Sequence, residues 1–325
     1  MIYNKNTMFK QLTETFTILG IRNGLKKYHA LAREHSYFNP KYRLPLIALY
    51  LHNVFRLLSK AKLLRLSTTN SRWLYFNRYY PMTRNINLKT LIEKKFPYTY
   101  KKTNDYLLSI SPNGSVLLNT FFTNASLLFI CFTLKNTTSR KIVFLLPDEL
   151  YKSSRAYLLS TCYAEYRALL DNNKVILINL SFSSIENHLV LLKEKVLIIN
   201  FLDTPPPQAR LFYDVKILRT KLNFRADVLH LAAQMNLPIH TFFMFFDGYS
   251  LKTKEYVPYS LNMLDFKASV VQYTMEKMFA PLKYLLNINP AIWLGWFCLK
   301  EYKPVFPNTT SKAKKPLLRG FKKPP

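Results

Sequence analysis

A histidine and a carboxylate held a few residues apart can act as a general base and its orienting partner. His29 and Glu34 have such a His-x4-acid spacing. They sit in a polar stretch that reads as helical, with no strand before it, so the spacing is taken as coincidence. In an α/β protein a catalytic pair is commonly mounted at the carboxyl end of a strand. The stretch that reads as strand, polar turn and helix start is Gly114 to Ser126, followed by Leu127-Leu128-Phe129-Ile130. It contains neither a histidine nor an acid, and no histidine lies between His52 and His188. His188, His230 and His240 fall in the later, strand-rich part. His230 lies amid Val228, Leu229, Leu231 and Ala232, which favours packing over catalysis. His240 falls in a strand. A base recruited from these three stays open.

Other polar residues carry weaker signals. Asp203 ends an apolar run just before Pro205, Pro206 and Pro207. It could position a polar group of a substrate or simply close the strand. Arg225, read in the first turn of a helix, could meet a phosphate or lie on the surface. Asn124 could cap the helix that starts at Leu127.

These residues need elements to hold them. From Tyr106 onward, strands and helices alternate. Strands are expected at Ser115–Asn119, Lys141–Pro147, Lys174–Phe182, Lys195–Leu202 and from Leu237-Pro238 to Phe246. Their interiors are apolar on both faces, as buried parallel strands require. Helices are expected at Asp148–Leu170, at Ile185–Lys193, from an Asn223 cap to about Gln234, and at Asp265–Leu286 with a bend at Pro281. The alternation implies a mixed, mostly parallel sheet flanked by helices. Residues 1–104 read as a basic helical region, 105–303 as the α/β domain, and 304–325 as a basic disordered tail. Within the first region, Leu44 to Leu66 begins with a proline suited to a helix start and carries Arg56, Lys60, Lys62 and Arg65. Such a helix could lie in a membrane interface or pack as an ordinary amphipathic helix.

Composition narrows the function classes. The 325 residues include 47 Lys and Arg against 18 Asp and Glu, a formal charge of +29. That field attracts polyanions, either nucleic acid or an anionic membrane surface. Codon drift in an AT-rich genome would enlarge the same excess. Only 6 glycines are present, and there is no GxGxxG or GxxxxGK[ST], which argues against a Gly-rich nucleotide fold. Cys131, Cys162 and Cys298 lack metal-ligand spacing and point to reduced thiols on a cytosolic face. The amino terminus lacks the apolar core of a signal peptide. No uninterrupted apolar run reaches the roughly 18–20 residues needed to span a bilayer.

Three pieces, in order, carry a resemblance. Gly114–Asn124 matches an apolar strand and turn of the form Gly-(apolar)-His-Phe-Gly-Asn-Trp-Glu. Leu191 to Met244 holds a Lys-strand-Asp block ending at Asp203, then Leu231, Ala232, Leu237, Pro238 and Ile239. Asn289-Pro290-Ala291-Ile292-Trp293 matches a Pro-x-x-Trp element. Together they resemble the lipid A biosynthesis acyltransferases, the lauroyl and myristoyl transferases of the lysophospholipid acyltransferase superfamily. The resemblance spans about residues 105–303 and implies a fold of that superfamily. It implies transfer of a fatty acyl group from an acyl thioester, acyl-CoA or acyl carrier protein, to a lipid or glycolipid hydroxyl. No resident cofactor or metal is implied.

Aligned on Asn124, Phe121 stands where the family has its catalytic histidine, Ser126 where it has the acid, and Thr123 in place of a glycine. Phenylalanine cannot accept a proton, and a serine hydroxyl cannot replace a carboxylate charge. The resemblance therefore implies a degenerate catalytic slot at Phe121 and Ser126, with Asn124, Asp203 and Arg225 as candidate substrate-binding residues. The expectation is a peripheral protein on the cytoplasmic face of a membrane, in contact with anionic lipid. It either transfers acyl groups or keeps only lipid binding. The rival is a basic nucleic-acid-binding protein whose Tyr and Phe side chains stack on bases.

Overall fold

A computed structural model describes residues 96–110, 114–134, 141–148, 150–152, 164–180, 195–205, 211–217, 220–247, 250–261 and 267–295. The Leu44–Leu66 segment, His29 and Glu34, the Ile185–Lys193 helix, His188 and the basic tail lie outside the described residues.

The apolar runs form the expected strands. β1 (Val116–Thr120), β2 (Lys141–Leu146), β3 (Val175–Asn179) and β4 (Val196–Phe201) are joined by β7 (Pro238–Asp247) and β8 (Ser250–Ser260). They make one six-stranded sheet of order β3-β2-β4-β1-β7-β8. Every pairing is parallel except β7 with β8. Strands β1 and β4 are buried along their whole length, which is why both of their faces are apolar. β8 is the antiparallel edge. Its Lys252, Lys254 and Glu255 face outward, and Pro258 discourages further pairing.

Helices cover both faces. On one face lie α1 (Pro97–Ser109), α2 (Ser126–Leu134) and α3 (Ala164–Asp171). Leu107, Leu128, Phe129 and Phe132 of α1 and α2 share a core with Val116, Leu118 and Phe242 of the sheet. α1 begins with Pro97 in its first turn and runs across residue 104, where the sequence changes character. On the other face lie α4 (Asp227–Gln234), α5 (Ala268–Met278) and α6 (Ala280–Ile288), with a separate hairpin of β5 (Phe212–Ile217) and β6 (Thr220–Arg225). Val228, Leu229, Met275, Leu282 and Phe224 of this layer pack on Leu117, Phe121 and Phe243. Glu276 of α5 accepts from the Lys216 amide at 3.1 Å and pairs with Lys283 of α6 at 2.6 Å, tying hairpin and helices together.

Two expectations are corrected. Asn223 does not cap a helix: it lies in β6 opposite Asp214, because Leu222 and Phe224 alternate inward with period two. The helix begins only at Asp227, whose carboxylate accepts from the Val228 amide at 3.1 Å. The long helix expected from Asp265 is two helices that meet at Phe279, with Pro281 in the first turn of the second.

Helices α3 and α4 end by the same device. Asn173 and Asn236 take left-handed φ values of 53° and 50°. The next amide reaches back five residues, Lys174 to Leu169 at 2.9 Å and Leu237 to Ala232 at 2.8 Å. This Schellman-type closure satisfies terminal carbonyls and aims the chain into β3 and β7. Asn236→Gly should hold or raise stability by up to ~1 kcal/mol, and Asn236→Val should lower it by about 1–2 kcal/mol, read by urea unfolding. Equal loss in both variants would contradict the left-handed cap.

Candidate functional site

The connections after β1 and β4 leave in opposite directions. The chain after β1 crosses one face through α2 to β2, and the chain after β4 crosses the other through α4 to β7. β1 and β4 are neighbours, so their carboxyl ends form the topological switch point where open α/β sheets place their sites. The Phe121–Ser126 turn and the Leu202-Asp203-Thr204 turn meet there.

Asp203 is fully buried. Its carboxylate accepts from the Phe122 amide at 2.9 and 3.0 Å and from the Trp293 indole Nε1 at 2.6 Å. Burial pushes its pKa up to about 6, against the downward pull of the Trp293, Phe122 and Asp203 N–H donors. Trp293 comes from the far end of the described chain. The short 3-10 turn Pro290–Ile292 carries it in, with the Asn289 side chain accepting from the Ala291 amide at 3.0 Å. Thr123 and Trp293 form an antiparallel bridge. The Asn124 amide donates to Ile292 at 2.9 Å, and the Leu294 amide donates to Phe122 at 2.8 Å. Gly295 is required by this approach, since a Cβ there would stand 2.3 Å from the indole ring.

The turn is locked from within. Ser126 Oγ accepts from the Thr123 amide at 2.8 Å and donates to the Phe121 carbonyl at 3.1 Å. Thr123 Oγ1 donates to the Met244 carbonyl. Asn124 pairs with the backbone of Phe246 in both directions, at 3.0 and 2.8 Å. It thus imitates a strand partner for β7, and α2 starts at Ser126 without using Asn124 as its cap. The Phe121 ring meets Phe243 and Phe279 edge-on at 5.9 and 5.7 Å. Phe121, Asn124, Ser126 and Asp203 are each at most 2% exposed. The arrangement as packed orders backbone and seals a carboxylate; a soluble substrate reaches none of these groups without an opening of the turn.

Arg225 is elsewhere in use. Its Nε donates to Asp227 at 3.1 Å, a second nitrogen pairs with the same carboxylate, and a third donates to the Leu180 carbonyl. The pair is buried in the hairpin-side layer, where removal of either partner would strand a charge. The structure therefore brings together Phe121, Asn124, Ser126 and Asp203, and gives Arg225 a separate place. His240 has the strand parity of Phe242 and Met244. It lies near the Tyr106 hydroxyl, at 3.4 Å, on the opposite face of the sheet from Phe121. His230 lies on α4. Trp293 was visible as part of a Pro-x-x-Trp element, but nothing local to it signals that its indole reaches Asp203, 90 residues away.

Among the described residues, no helix is long and apolar enough to cross a membrane, and no three His, Cys, Asp or Glu side chains gather as a metal site would require. No protein-family model matches the chain, and no curated protein matches it. What is defined is an α/β sheet of mostly parallel strands whose switch point is filled by a tryptophan on a buried carboxylate.

The buried acid sets a pH signature. Its folded pKa is raised, so folding favours the protonated form. That stability is fully present below the unfolded value of 3.8 and is lost as pH rises through about 6. Relative to Asp203→Asn, the unmodified protein should lose on the order of 3 kcal/mol across that window, measured by urea unfolding at a series of pH values. Trp293→Phe should cost about 2 kcal/mol at neutral pH, since it leaves a buried carboxylate oxygen short of a donor. Parallel pH profiles for Asp203→Asn and the unmodified protein would contradict this account.

Proposed function

We propose that this is a membrane-surface, lipid-binding protein of lysophospholipid-acyltransferase-like fold, a catalytically degenerate relative of the lipid A acyltransferases. One observation carries the reading. The three pieces on which the resemblance rests are far apart in sequence, yet they hydrogen-bond to one another: the Phe122 amide and the Trp293 indole both donate to Asp203. A chance likeness of three separate segments would have no reason to converge on one carboxylate.

The degenerate half of the reading follows from chemistry. Acyl transfer from a thioester to a hydroxyl calls for a base near neutral pH, usually histidine, with a carboxylate to steady its cation. At the aligned positions stand an aromatic ring set among Phe243 and Phe279 and a serine hydroxyl bonded inside its own turn. The net charge of +29 supplies the attraction to an anionic surface.

The test is mass spectrometry of lipids that co-purify with the full-length chain, with a parallel assay of acyl-thioester consumption. The reading expects bound lipid, salt-sensitive binding to anionic vesicles and no thioester turnover. Turnover by the unmodified protein would overturn the degenerate site. Retained nucleic acid without lipid would transfer the argument to a polyanion binder, for which the exposed Tyr273 beside Lys277 at 4.5 Å would serve as a stacking platform.

A further inference from the structure

A second polar feature crosses the sheet beneath the Phe121 turn. Asn200 on β4, Asn119 on β1 and Thr241 on β7 are direct cross-strand partners. All three are at most 2% exposed. They share strand parity with Leu117, Phe121, Ile239 and Phe243, which face the α4–α6 layer. The pairing of β7 with β8 shifts register between Ile239 and Thr241: Ile239 opposes Tyr259, whereas Thr241 opposes Tyr256. This bulge lets Tyr256 and Tyr259, three residues apart, both pack against that same layer. The Tyr259 phenol consequently faces Thr241 and Asn119, and burial holds its pKa far above neutrality, so it stays a donor.

This row is incompletely paired. Asn200 donates to Asn119 Oδ1 at 2.9 Å, which uses the Asn119 carbonyl. Asn119 Nδ2, Thr241 Oγ1 and Tyr259 OH are buried and make no hydrogen bond of proper geometry. Three such atoms side by side are costly, at about 1–3 kcal/mol for each group left unmet. Natural interiors rarely keep them without a reason. A bulge that re-aims a tyrosine hydroxyl into the same place is a second, independent irregularity.

We propose that Asn119, Thr241 and Tyr259 form a binding site for the carbonyl or carboxyl head of an apolar, acyl-type ligand. The donor inventory selects the head: all three groups can donate, and the amide nitrogen can only donate. An acceptor-rich head fits, and an ammonium head does not. The surroundings select the body, since Leu117, Ile239, Phe243 and Tyr256 line the same layer. Tyr259 sits on the edge strand and is only partly buried, so the row meets solvent on movement of one side chain. The alkyl tail of the ligand rests on the lipid-binding reading above; the position of its head does not.

The test uses the full-length chain, decanoate as probe and high salt to suppress general attraction to a basic surface. Affinity is measured by calorimetry for the unmodified protein, Tyr259→Phe and Thr241→Val, with decyltrimethylammonium as the control lacking acceptors. Each variant should weaken decanoate about fivefold to tenfold, the size of one neutral hydrogen bond. Without ligand, each should melt at or above the unmodified temperature, because it deletes only an unpartnered hydroxyl. Failure of decanoate to bind, equal affinity in either variant, or equal binding of the ammonium control would overturn the site. So would loss of unliganded stability, which would mark a purely structural network. If decanoate binding obeys the variants while vesicles are ignored, the membrane reading falls and this site stands.

Discussion

A carboxylate taken wholly out of water at the end of a parallel strand is the constraint around which this molecule is arranged. An ion of that size costs several kcal/mol to bury, and it persists only where donors are fixed in advance. Here they come from two directions, the Phe122 amide at the end of one strand and the Trp293 indole from a distant segment. Meeting both fixes the backbone of the Phe121–Ser126 turn and brings the Pro290–Ile292 segment across it. It also demands a residue without a side chain at Gly295. Asn124 then fastens the same turn to β7. The chain's amino- and carboxyl-terminal described segments are thus joined at the switch point by hydrogen bonds that exist only in the folded state.

The same position in a working enzyme of this architecture would be open. A catalytic pair needs access, a titrating base and a carboxylate whose charge is available to steady it. In this chain the aromatic at Phe121 extends the core of the hairpin-side layer, and the serine at Ser126 turns its hydroxyl back onto the turn. Each change makes sense as packing and removes a component of chemistry. The polar row beneath the turn has the opposite character, since its donors are buried but unmet. A protein that lost reactivity while keeping a place for an acyl head would leave this combination of one sealed and one unsatisfied site.

Much of the fold was legible because its central strands are buried on both faces. Runs such as Ile142-Val143-Phe144-Leu145-Leu146 and Val196 to Phe201 cannot be read as anything that meets water. The edge was not legible. Ser250–Ser260 carries two lysines, a glutamate and a proline because it faces solvent, and its alternation is blurred by the bulge. The β5–β6 hairpin hid behind a capping asparagine that is in fact a strand residue. Of the site, the turn, Asp203 and Trp293 were each visible as separate fragments. Their contact was not, because a hydrogen bond spanning 90 residues leaves no periodic trace in the chain. The unsatisfied row was hidden for the same reason: Asn119, Thr241 and Tyr259 become neighbours only through strand order and a register shift.

The central claim, that Asp203 is sealed beneath the Trp293 indole, is tested most directly by following the Trp293 indole proton by NMR as pH is varied, assigned through Trp293→Phe. The account predicts a downfield-shifted resonance, slow to exchange with solvent, that moves as Asp203 protonates near pH 6. An indole proton that exchanges freely and ignores pH would contradict it, and the switch point would then be open to solvent.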